Sequence, residues 1–276
     1  MKLYLRNQFL ELEEPVIMGI LNITPDSFSD GGKYFGAAAA MRQAEKLVTD
    51  GAAIIDVGGE STRPGARRVG VDEEIDRVIP VIEKIKETWD VLVSIDTYKE
   101  NVARLAVEEA DADMVNDISA LMYSEAMAET VSELNVPVVL MHIKGTPETM
   151  QQAPSYTDVV AEIKDFFEER IEFALARGIK KEKLILDPGI GFGKRVEDNI
   201  AILKNLRAFA EFELPLMAGI SRKSFLGAIS GEKIPAQRDA ETTAAHILAM
   251  SNGASMLRVH DVAQAVKTVK IFKAMF

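Results

Sequence analysis

The chain alternates short apolar runs with longer segments in which apolar residues recur at a helical spacing. Val16 to Ile20 is a run of the first kind and predicts a buried strand, whereas residues 72–87 carry apolar side chains at the three- and four-residue intervals of an amphipathic helix. The same alternation repeats to the end of the chain. It predicts strands at 16–20, 53–57, 91–95, 114–115, 136–141, 184–186, 214–218 and 255–259.

The helices predicted between these strands cover residues 36–50, 72–87, 100–110, 156–177, 197–209, 240–251 and 261–274. Strands that alternate with helices favour a parallel sheet, and eight repeats favour closure into a (β/α)8 barrel, the TIM-barrel form of the α/β class. An open doubly wound sheet is the alternative, but no Gly-x-Gly-x-x-Gly fingerprint follows the first strand. We expect one domain over residues 1–276, with a short N-terminal extension at 3–14 that forms a hairpin over the barrel bottom.

Composition narrows the classes of function. The chain has 276 residues, a net charge of −11, no cysteine and no apolar run long enough to cross a membrane. Its N-terminus lacks the apolar core of a secretory signal. We therefore expect a cytoplasmic protein with no membrane partner and no nucleic-acid partner, in which any anion-binding groups are concentrated locally.

Polar side chains follow the predicted strands where each one ends. A single one of them is as easily a helix cap, but the C-terminal ends of barrel strands meet at one mouth, which favours a shared site. The residues concerned are Asn22, Asp56, Asp96, Asn116, His142, Asp187, Lys223, Arg258 and His260.

These side chains sort by chemistry. Asp96, Asn116 and Asp187 suit a flat heterocycle with several N–H donors. Lys223, Arg258 and His260 suit phosphate, next to a helix start predicted at 221–224. Asn22 is either a turn amide or an uncharged oxygen ligand for Mg²⁺ that phosphate and water mostly hold.

Three other features remain open or favour a structural role. His142 either belongs to the site or only lines its wall, and His246, in the middle of a helix, is interpreted as structural. The glycine-rich residues 189–193 lack the Lys-Ser/Thr of a phosphate loop and are interpreted as a tight turn that presents Phe192.

Several segments together resemble the dihydropteroate synthases, a family of pterin-binding enzymes. The similarity runs in order along essentially the whole chain, and the first two segments are highly specific. The segments are 19–32, 58–65 (Gly-Gly-Glu-Ser-Thr-Arg-Pro-Gly), 94–98, 116–118, 187–193, 221–224 and 258–262. Around residues 240–243 the family often has a glycine where Glu241 stands, which puts the local helix start in doubt.

The resemblance implies a transferase of folate biosynthesis. Such an enzyme joins 6-hydroxymethyl-7,8-dihydropterin pyrophosphate to 4-aminobenzoate and releases pyrophosphate and 7,8-dihydropteroate. Carried over by position, the pterin would be held by Asp96, Asn116, Asp187 and Lys223. The pyrophosphate would be held by Asn22 with Mg²⁺, Arg258 and His260, and Thr62 would also contact the pterin pyrophosphate substrate.

The resemblance also implies a site for 4-aminobenzoate, at which sulfonamides would compete. Its residues would be Phe28, Pro64, Phe192, Lys223 and Ser224. Pyrophosphate would leave first to give a pterin methyl cation, and the loops 26–30 and 61–65 would exclude water. Asp30 and Arg63 are expected to organise that closed state, and Lys223 and Arg258 to act in catalysis. A homodimer through the C-terminal helices is expected from the same resemblance.

Three other functions stay open on the sequence. A methyltetrahydrofolate–corrinoid methyltransferase would use a similar pterin-binding barrel. A Schiff-base aldolase would use Lys223, whose pKa Arg222 could lower. A non-catalytic pterin-binding homologue would keep the pocket without the reaction.

Overall fold

The computed structural model describes residues 1–23, 32–62 (backbone only for 32–36) and 68–276. The strands of these residues are β1 (Lys2–Tyr4), β2 (Phe9–Glu11), β3 (Val16–Asn22), β4 (Ile54–Gly58), β5 (Leu92–Asp96), β6 (Met114–Asp117), β7 (Val138–Met141), β8 (Leu184–Asp187), β9 (Met217–Ala218) and β10 (Met256–Val259). The helices are α1 (Gly32–Thr49), α2 (Val71–Thr88), α3 (Glu100–Glu108), α4 (Met127–Leu134), α5 (Val159–Ala176), α6 (Val196–Lys204), α7 (Ser224–Ser230), α8 (Asp239–Ser251) and α9 (Val262–Met275).

The strands β3 to β10 form one parallel sheet in the order β8-β7-β6-β5-β4-β3-β10-β9. Its two edges meet just before β9, where Leu186 pairs in parallel with Leu216 and the Leu186 N–H donates to the Pro215 carbonyl over 2.9 Å. Helices follow the strands along the chain and cover the outside of the sheet. The predicted (β/α)8 barrel is confirmed.

The N-terminal extension covers the end of the barrel at which the strands begin. β1 and β2 pair antiparallel, with Leu3 opposite Leu10. Leu3, Leu5 and Leu12 are buried in one apolar cluster with Met18, Met114, Met217 and Met256 from the barrel interior. The barrel strands are parallel, so the polar side chains at their C-terminal ends lie at the opposite end of the barrel, its mouth. The predicted hairpin is confirmed.

Several boundaries differ from the sequence prediction. The predicted helix at 197–209 ends at Lys204 and continues as a 3₁₀ helix, Leu206–Phe212. Asn205 stands between the two, and its backbone N–H and its side-chain amide both donate to the Ala201 carbonyl, over 3.1 and 2.8 Å. Helix α4 was not predicted because it is too short for its periodicity to stand out, whereas α7 begins at Ser224, within the helix start predicted at 221–224.

The start of α8, which Glu241 had put in doubt, lies where it was predicted. The helix begins at Asp239, and Glu241 lies in its first turn with no disruption of the helix. An acidic side chain is favourable there because the helix dipole is positive at the N-terminus.

None of the helices in the described parts of the chain is long and apolar enough to span a membrane.

Candidate active site

Strand register places four of the strand-end positions in one row across the barrel mouth. Asn22 pairs with Gly58, Gly58 with Asp96, and Asp96 with Asn116. Gly58 has no side chain, and a Cβ there would lie 3.4 Å from Asp96 Oδ2 and 3.6 Å from Asn22 Oδ1. The amide oxygen of Asn22 and the carboxylate of Asp96 therefore face the same space above Gly58.

Arg258 joins the carboxylate of Asp96, which belongs to this row, to that of Asp56, two residues before Gly58 on β4. Its Nε donates to Asp56 Oδ2 and its Nη2 to Asp96 Oδ2, both over 2.6 Å. Asn116 Nδ2 donates to the same oxygen of Asp56 over 3.0 Å. The structure thus brings three predicted site residues together around Asp56, which the sequence placed at a strand end without a role.

Two buried polar atoms at the site have no hydrogen-bond partner within the described residues. They are Asp56 Oδ1 and Ser94 Oγ, on neighbouring strands whose residues pair directly. A buried acceptor is costly unless a donor satisfies it. Acceptors at this depth suit the N–H and amino groups of a heterocycle that enters the mouth.

Burial and neighbouring charge shift the ionisation of this group. Burial raises the pKa of Asp96 to about 7, with Arg258 opposing and Asp56 reinforcing the rise. Burial alone would lower the pKa of Arg258, but the carboxylates of Asp56 and Asp96 outweigh it and raise the pKa. Arg258 is therefore a permanent cation, whereas Asp96 changes charge near neutral pH.

Asp187 and Lys223 lie close enough at the mouth for the charge of each to shift the pKa of the other. Asp187 is 3% exposed and accepts the Gly189 N–H over 2.7 Å, and burial raises the pKa of its carboxyl. Burial and Arg258 lower the pKa of Lys223 to about 8, against the opposing effect of Asp187. The Lys223 Nζ lies 4.0 Å from the centroid of the Phe192 ring.

Lys194, a residue that was not predicted to belong to the site, forms hydrogen bonds with the glycine-rich turn that carries Phe192. The buried Nζ of Lys194 donates to the carbonyls of Gly189 and Phe192 over 2.9 and 3.0 Å. It also lies 2.9 Å from Nδ1 of His142. The predicted tight turn presenting Phe192 is confirmed.

His142 lies in the wall beside this turn. It is 6% exposed and packs edge-on against Phe166 with ring centroids 4.8 Å apart. Burial and the neighbouring Lys194 lower the pKa of His142 to about 2. A neutral, enclosed ring favours the reading in which His142 lines the wall. His246 is 2% exposed, and burial lowers its pKa to about 4, in keeping with its structural interpretation.

His260 is held by Ser221 at the mouth. The Ser221 hydroxyl oxygen accepts the His260 backbone N–H over 3.2 Å and lies 3.0 Å from its Nδ1. This contact orients the ring, and the sequence offered no sign of it because the two residues are 39 positions apart. Ser224 is the exposed first residue of α7, and Thr62 is partly buried near the end of β4.

Four predicted site residues lie outside the described residues. They are Phe28, Asp30, Arg63 and Pro64. The two predicted closing loops, 26–30 and 61–65, fall wholly or mostly in the same stretches.

Comparison with known protein families identifies the family of this chain. The family model of the pterin binding enzymes matches residues 18–260. The chain belongs to the pterin-binding enzyme family. Within that family the chain is 45% identical to the dihydropteroate synthase of Escherichia coli strain K12 over 274 residues, 99% of this chain and 96% of the relative.

Solved structures of the family superpose over the full length. A Yersinia pestis dihydropteroate synthase in complex with a sulfonamide drug has a TM-score of 0.94 at 43% identity, with 100% of this chain and 99% of the other covered. A Xanthomonas albilineans dihydropteroate synthase in complex with 7,8-dihydropteroate has a TM-score of 0.90 at 43% identity, with 100% and 98% covered. The activity that these similarities support is that of a dihydropteroate synthase, a transferase.

Proposed function

We propose that the mouth of the barrel condenses 6-hydroxymethyl-7,8-dihydropterin pyrophosphate with 4-aminobenzoate. The observation that carries this reaction is the arrangement of Asp56, Asp96, Asn116 and Arg258, a buried polar floor with an unpartnered acceptor among the described residues. Such a floor matches the donors of a pterin ring, which charge-assisted hydrogen bonds would hold. Asp187 and Lys223 close the side of the same pocket.

The pyrophosphate is proposed to lie above this floor, near the ends of β3 and β10. Arg258 and His260 supply donors there, and Thr62 stands at the rim. Opposing charge at this position favours departure of pyrophosphate because it stabilises the negative charge that develops on the leaving group. Ser221 keeps the His260 ring turned for this contact.

The residues present fit a Mg²⁺ ion at this position. Asn22 Oδ1 and Asp96 Oδ2 face one space above Gly58, and Mg²⁺ prefers a few protein oxygens completed by phosphate and water. Asn22 would hold the ion through its amide oxygen, and the charge of the ion would offset that of the pyrophosphate.

The 4-aminobenzoate is proposed to lie between Phe192, Lys223 and Ser224. The ring of Phe192 offers a stacking face, and the exposed hydroxyl of Ser224 offers a hydrogen bond to the carboxylate. The predicted contacts of Phe28 and Pro64 complete this proposal. Because a sulfonamide drug binds the related Yersinia enzyme, we expect sulfonamides to compete with 4-aminobenzoate here.

The proposed order of steps is loss of pyrophosphate followed by attack of the amine. Carbon–oxygen cleavage leaves a pterin methyl cation, which the carboxylates of Asp96 and Asp187 stabilise. The neutral arylamine then forms the carbon–nitrogen bond and loses a proton. Asp30 and Arg63 remain the residues proposed to organise the closed state that keeps water away. A homodimer and a cytoplasmic location belong to the same proposal.

A coupled assay tests this function. The purified chain is incubated with the pterin pyrophosphate, 4-aminobenzoate and Mg²⁺, and both pyrophosphate and dihydropteroate are measured. We expect product only when all three are present, and inhibition by a sulfonamide that more 4-aminobenzoate relieves. A protein that binds the pterin but releases no pyrophosphate would instead be a non-catalytic homologue.

The lowered pKa of Lys223, about 8, makes a Schiff-base reaction at this residue the alternative function. Borohydride reduction in the presence of a carbonyl substrate would trap such an adduct. We expect no adduct, because Lys223 lies over Phe192 and beside Asp187, where it serves binding.

A further inference from the structure

Residue 222 is the one point in the turn before α7 at which the backbone takes an unfavourable conformation. Arg222 has φ +58°, in the left-handed region where a side chain is strained and glycine is not. Its two neighbours are Ser221, which orients His260, and Lys223, which lies over Phe192. The conformation of residue 222 therefore decides where both of these side chains point.

The backbone N–H, the backbone carbonyl and the guanidinium of Arg222 all form hydrogen bonds with one segment, residues 238–242. Its N–H donates to the hydroxyl of Thr242 over 3.1 Å, and its carbonyl accepts Nη1 of Arg238 over 3.1 Å. Its guanidinium donates to both carboxylate oxygens of Asp239, over 2.8 and 3.1 Å. A two-point pair of this geometry fixes orientation as well as charge.

The segment that holds Arg222 is itself joined by internal hydrogen bonds. Thr242 donates its hydroxyl to the Arg238 carbonyl over 2.6 Å, and Arg238 donates to the carbonyls of Glu232 and Lys233 over 3.0 and 2.9 Å. Arg238 can pass this close only because residue 227 is glycine, where a Cβ would lie 2.5 Å from its Nε. We call the contacts that Arg238, Asp239 and Thr242 make with Arg222 the clamp. The clamp is thus built from α7, the connection after it and the start of α8.

We propose that Asp239 and Arg238 are positioning residues of the reaction, which hold Arg222 left-handed and so aim Ser221 and Lys223 into the mouth. The inference rests on the proposed function of that mouth. It also gives Arg222 a role other than direct contact with an anionic substrate, because its guanidinium is engaged by Asp239.

The test compares two substitutions that differ only in backbone freedom. Arg222→Ala and Arg222→Gly both remove the guanidinium, but only glycine adopts a positive φ without strain. At a temperature where circular dichroism shows both variants folded, we expect kcat/KM for 4-aminobenzoate to be about tenfold lower in Arg222→Ala than in Arg222→Gly, the factor that corresponds to left-handed strain. Equal values in the two variants would overturn the proposal.

Asp239→Ala extends the test to the clamp itself. In the wild-type background we expect about a tenfold loss in kcat/KM, again from left-handed strain. In the Arg222→Gly background we expect no further loss, because Asp239 then has no guanidinium to hold. An equal loss in both backgrounds would mean that Asp239 acts by another route and would refute the positioning role.

A matched control removes an ion pair elsewhere on the helices. Arg104 donates to Glu133 over 2.6 Å, away from the mouth, and Glu133→Ala is expected to keep wild-type kinetics. Failure of the proposed function is distinguishable, since the wild type would then make no product at all. A wild type that turns over while every variant matches it would refute the clamp alone.

Discussion

Several side chains at the mouth are ionisable although they are buried, and burial disfavours their charged forms. Asp187 is enclosed and its carboxyl pKa is raised, and burial lowers the pKa of Lys223 to about 8. Arrangements of this kind cluster at functional sites because stability alone does not favour them.

Removal of either charged partner at the side of the pocket is expected to abolish turnover. Lys223→Ala and Asp187→Ala should each lower kcat/KM by about a hundredfold or more, as when a preorganised charged contact is lost. Circular dichroism should show an intact fold. Lys84→Ala, which cuts an exposed ion pair with Glu87 on α2, is the control that should keep full activity. Full activity in either site variant would break the site assignment.

Asp96 is expected to trade stability for function. Its pKa rises from 3.8 in an unfolded chain to about 7 when folded, so its contribution to the free energy of unfolding is fully present below pH 3.8 and is lost as the pH rises through 7. Asp96→Asn removes that loss. The variant should therefore gain stability relative to the wild type as the pH rises from 4 to 8.

Urea unfolding at pH 4, 6 and 8 checks this expectation. At pH 4 the wild-type side chain is largely neutral, and the two proteins should be alike; the difference should open towards pH 8. The variant should meanwhile lose pterin binding, because the charged acceptor is gone. Parallel stability curves for the two proteins across this range would show that Asp96 is not destabilised by burial.

Among the secondary-structure elements, the strands fix the positions of the site residues, whereas a loop fixes the direction of the Phe192 side chain. Strand register brings Asn22, Gly58, Asp96 and Asn116 into line. The direction of Phe192 depends instead on the turn at 189–193, which Lys194 fastens. Gly189 allows the turn to close, with φ +64° and a Cβ position that would lie 1.8 Å from the His142 carbonyl oxygen.

Gly189→Ala is therefore expected to disrupt the turn, and Gly253→Ala is its matched control. Both glycines have positive φ, but a Cβ at Gly253 meets nothing within 4 Å. Left-handed strain should lower the stability of the control by about 1–2 kcal/mol. Gly189→Ala should lose clearly more stability, as well as turnover, in unfolding and activity measurements. Similar losses in both variants would mean that the overlap with His142 relaxes freely.

At the scale of the whole molecule, the two ends of the barrel have separate tasks. The hairpin fills the bottom with apolar side chains, and the mouth gathers the polar ones. Leu3 is fully buried in this plug. Changes at the bottom should therefore affect stability and leave the chemistry alone.

Leu3→Ala is expected to lower the free energy of unfolding by about 2–5 kcal/mol, the usual range for a buried leucine. Its KM values should match the wild type at temperatures where the protein is folded. Leu175→Ala, at a leucine that is 43% exposed on α5, should change stability by no more than about 0.5 kcal/mol. A raised KM in Leu3→Ala would show that the two ends are coupled.

The order of residues was enough to predict the barrel, the hairpin and the set of strand-end side chains. These follow from local periodicity and from the rule that parallel strands end at one edge, so they need no knowledge of distant contacts. The resemblance to the dihydropteroate synthases also needed only local motifs. The short helix α4 was missed because it has too few turns for a period to stand out, whereas the start of α7 was expected at 221–224.

The pairing of those side chains depends on the folded arrangement of distant parts of the chain. Arg258 meets Asp56 across 202 positions of sequence, Ser221 meets His260, and Asp239 holds Arg222. No local pattern encodes such contacts, because each depends on strand register and on the exact placement of a turn. Lys194 and Asp56 were missed or left without a role for the same reason: the partners that give each of them a task lie far away in the chain.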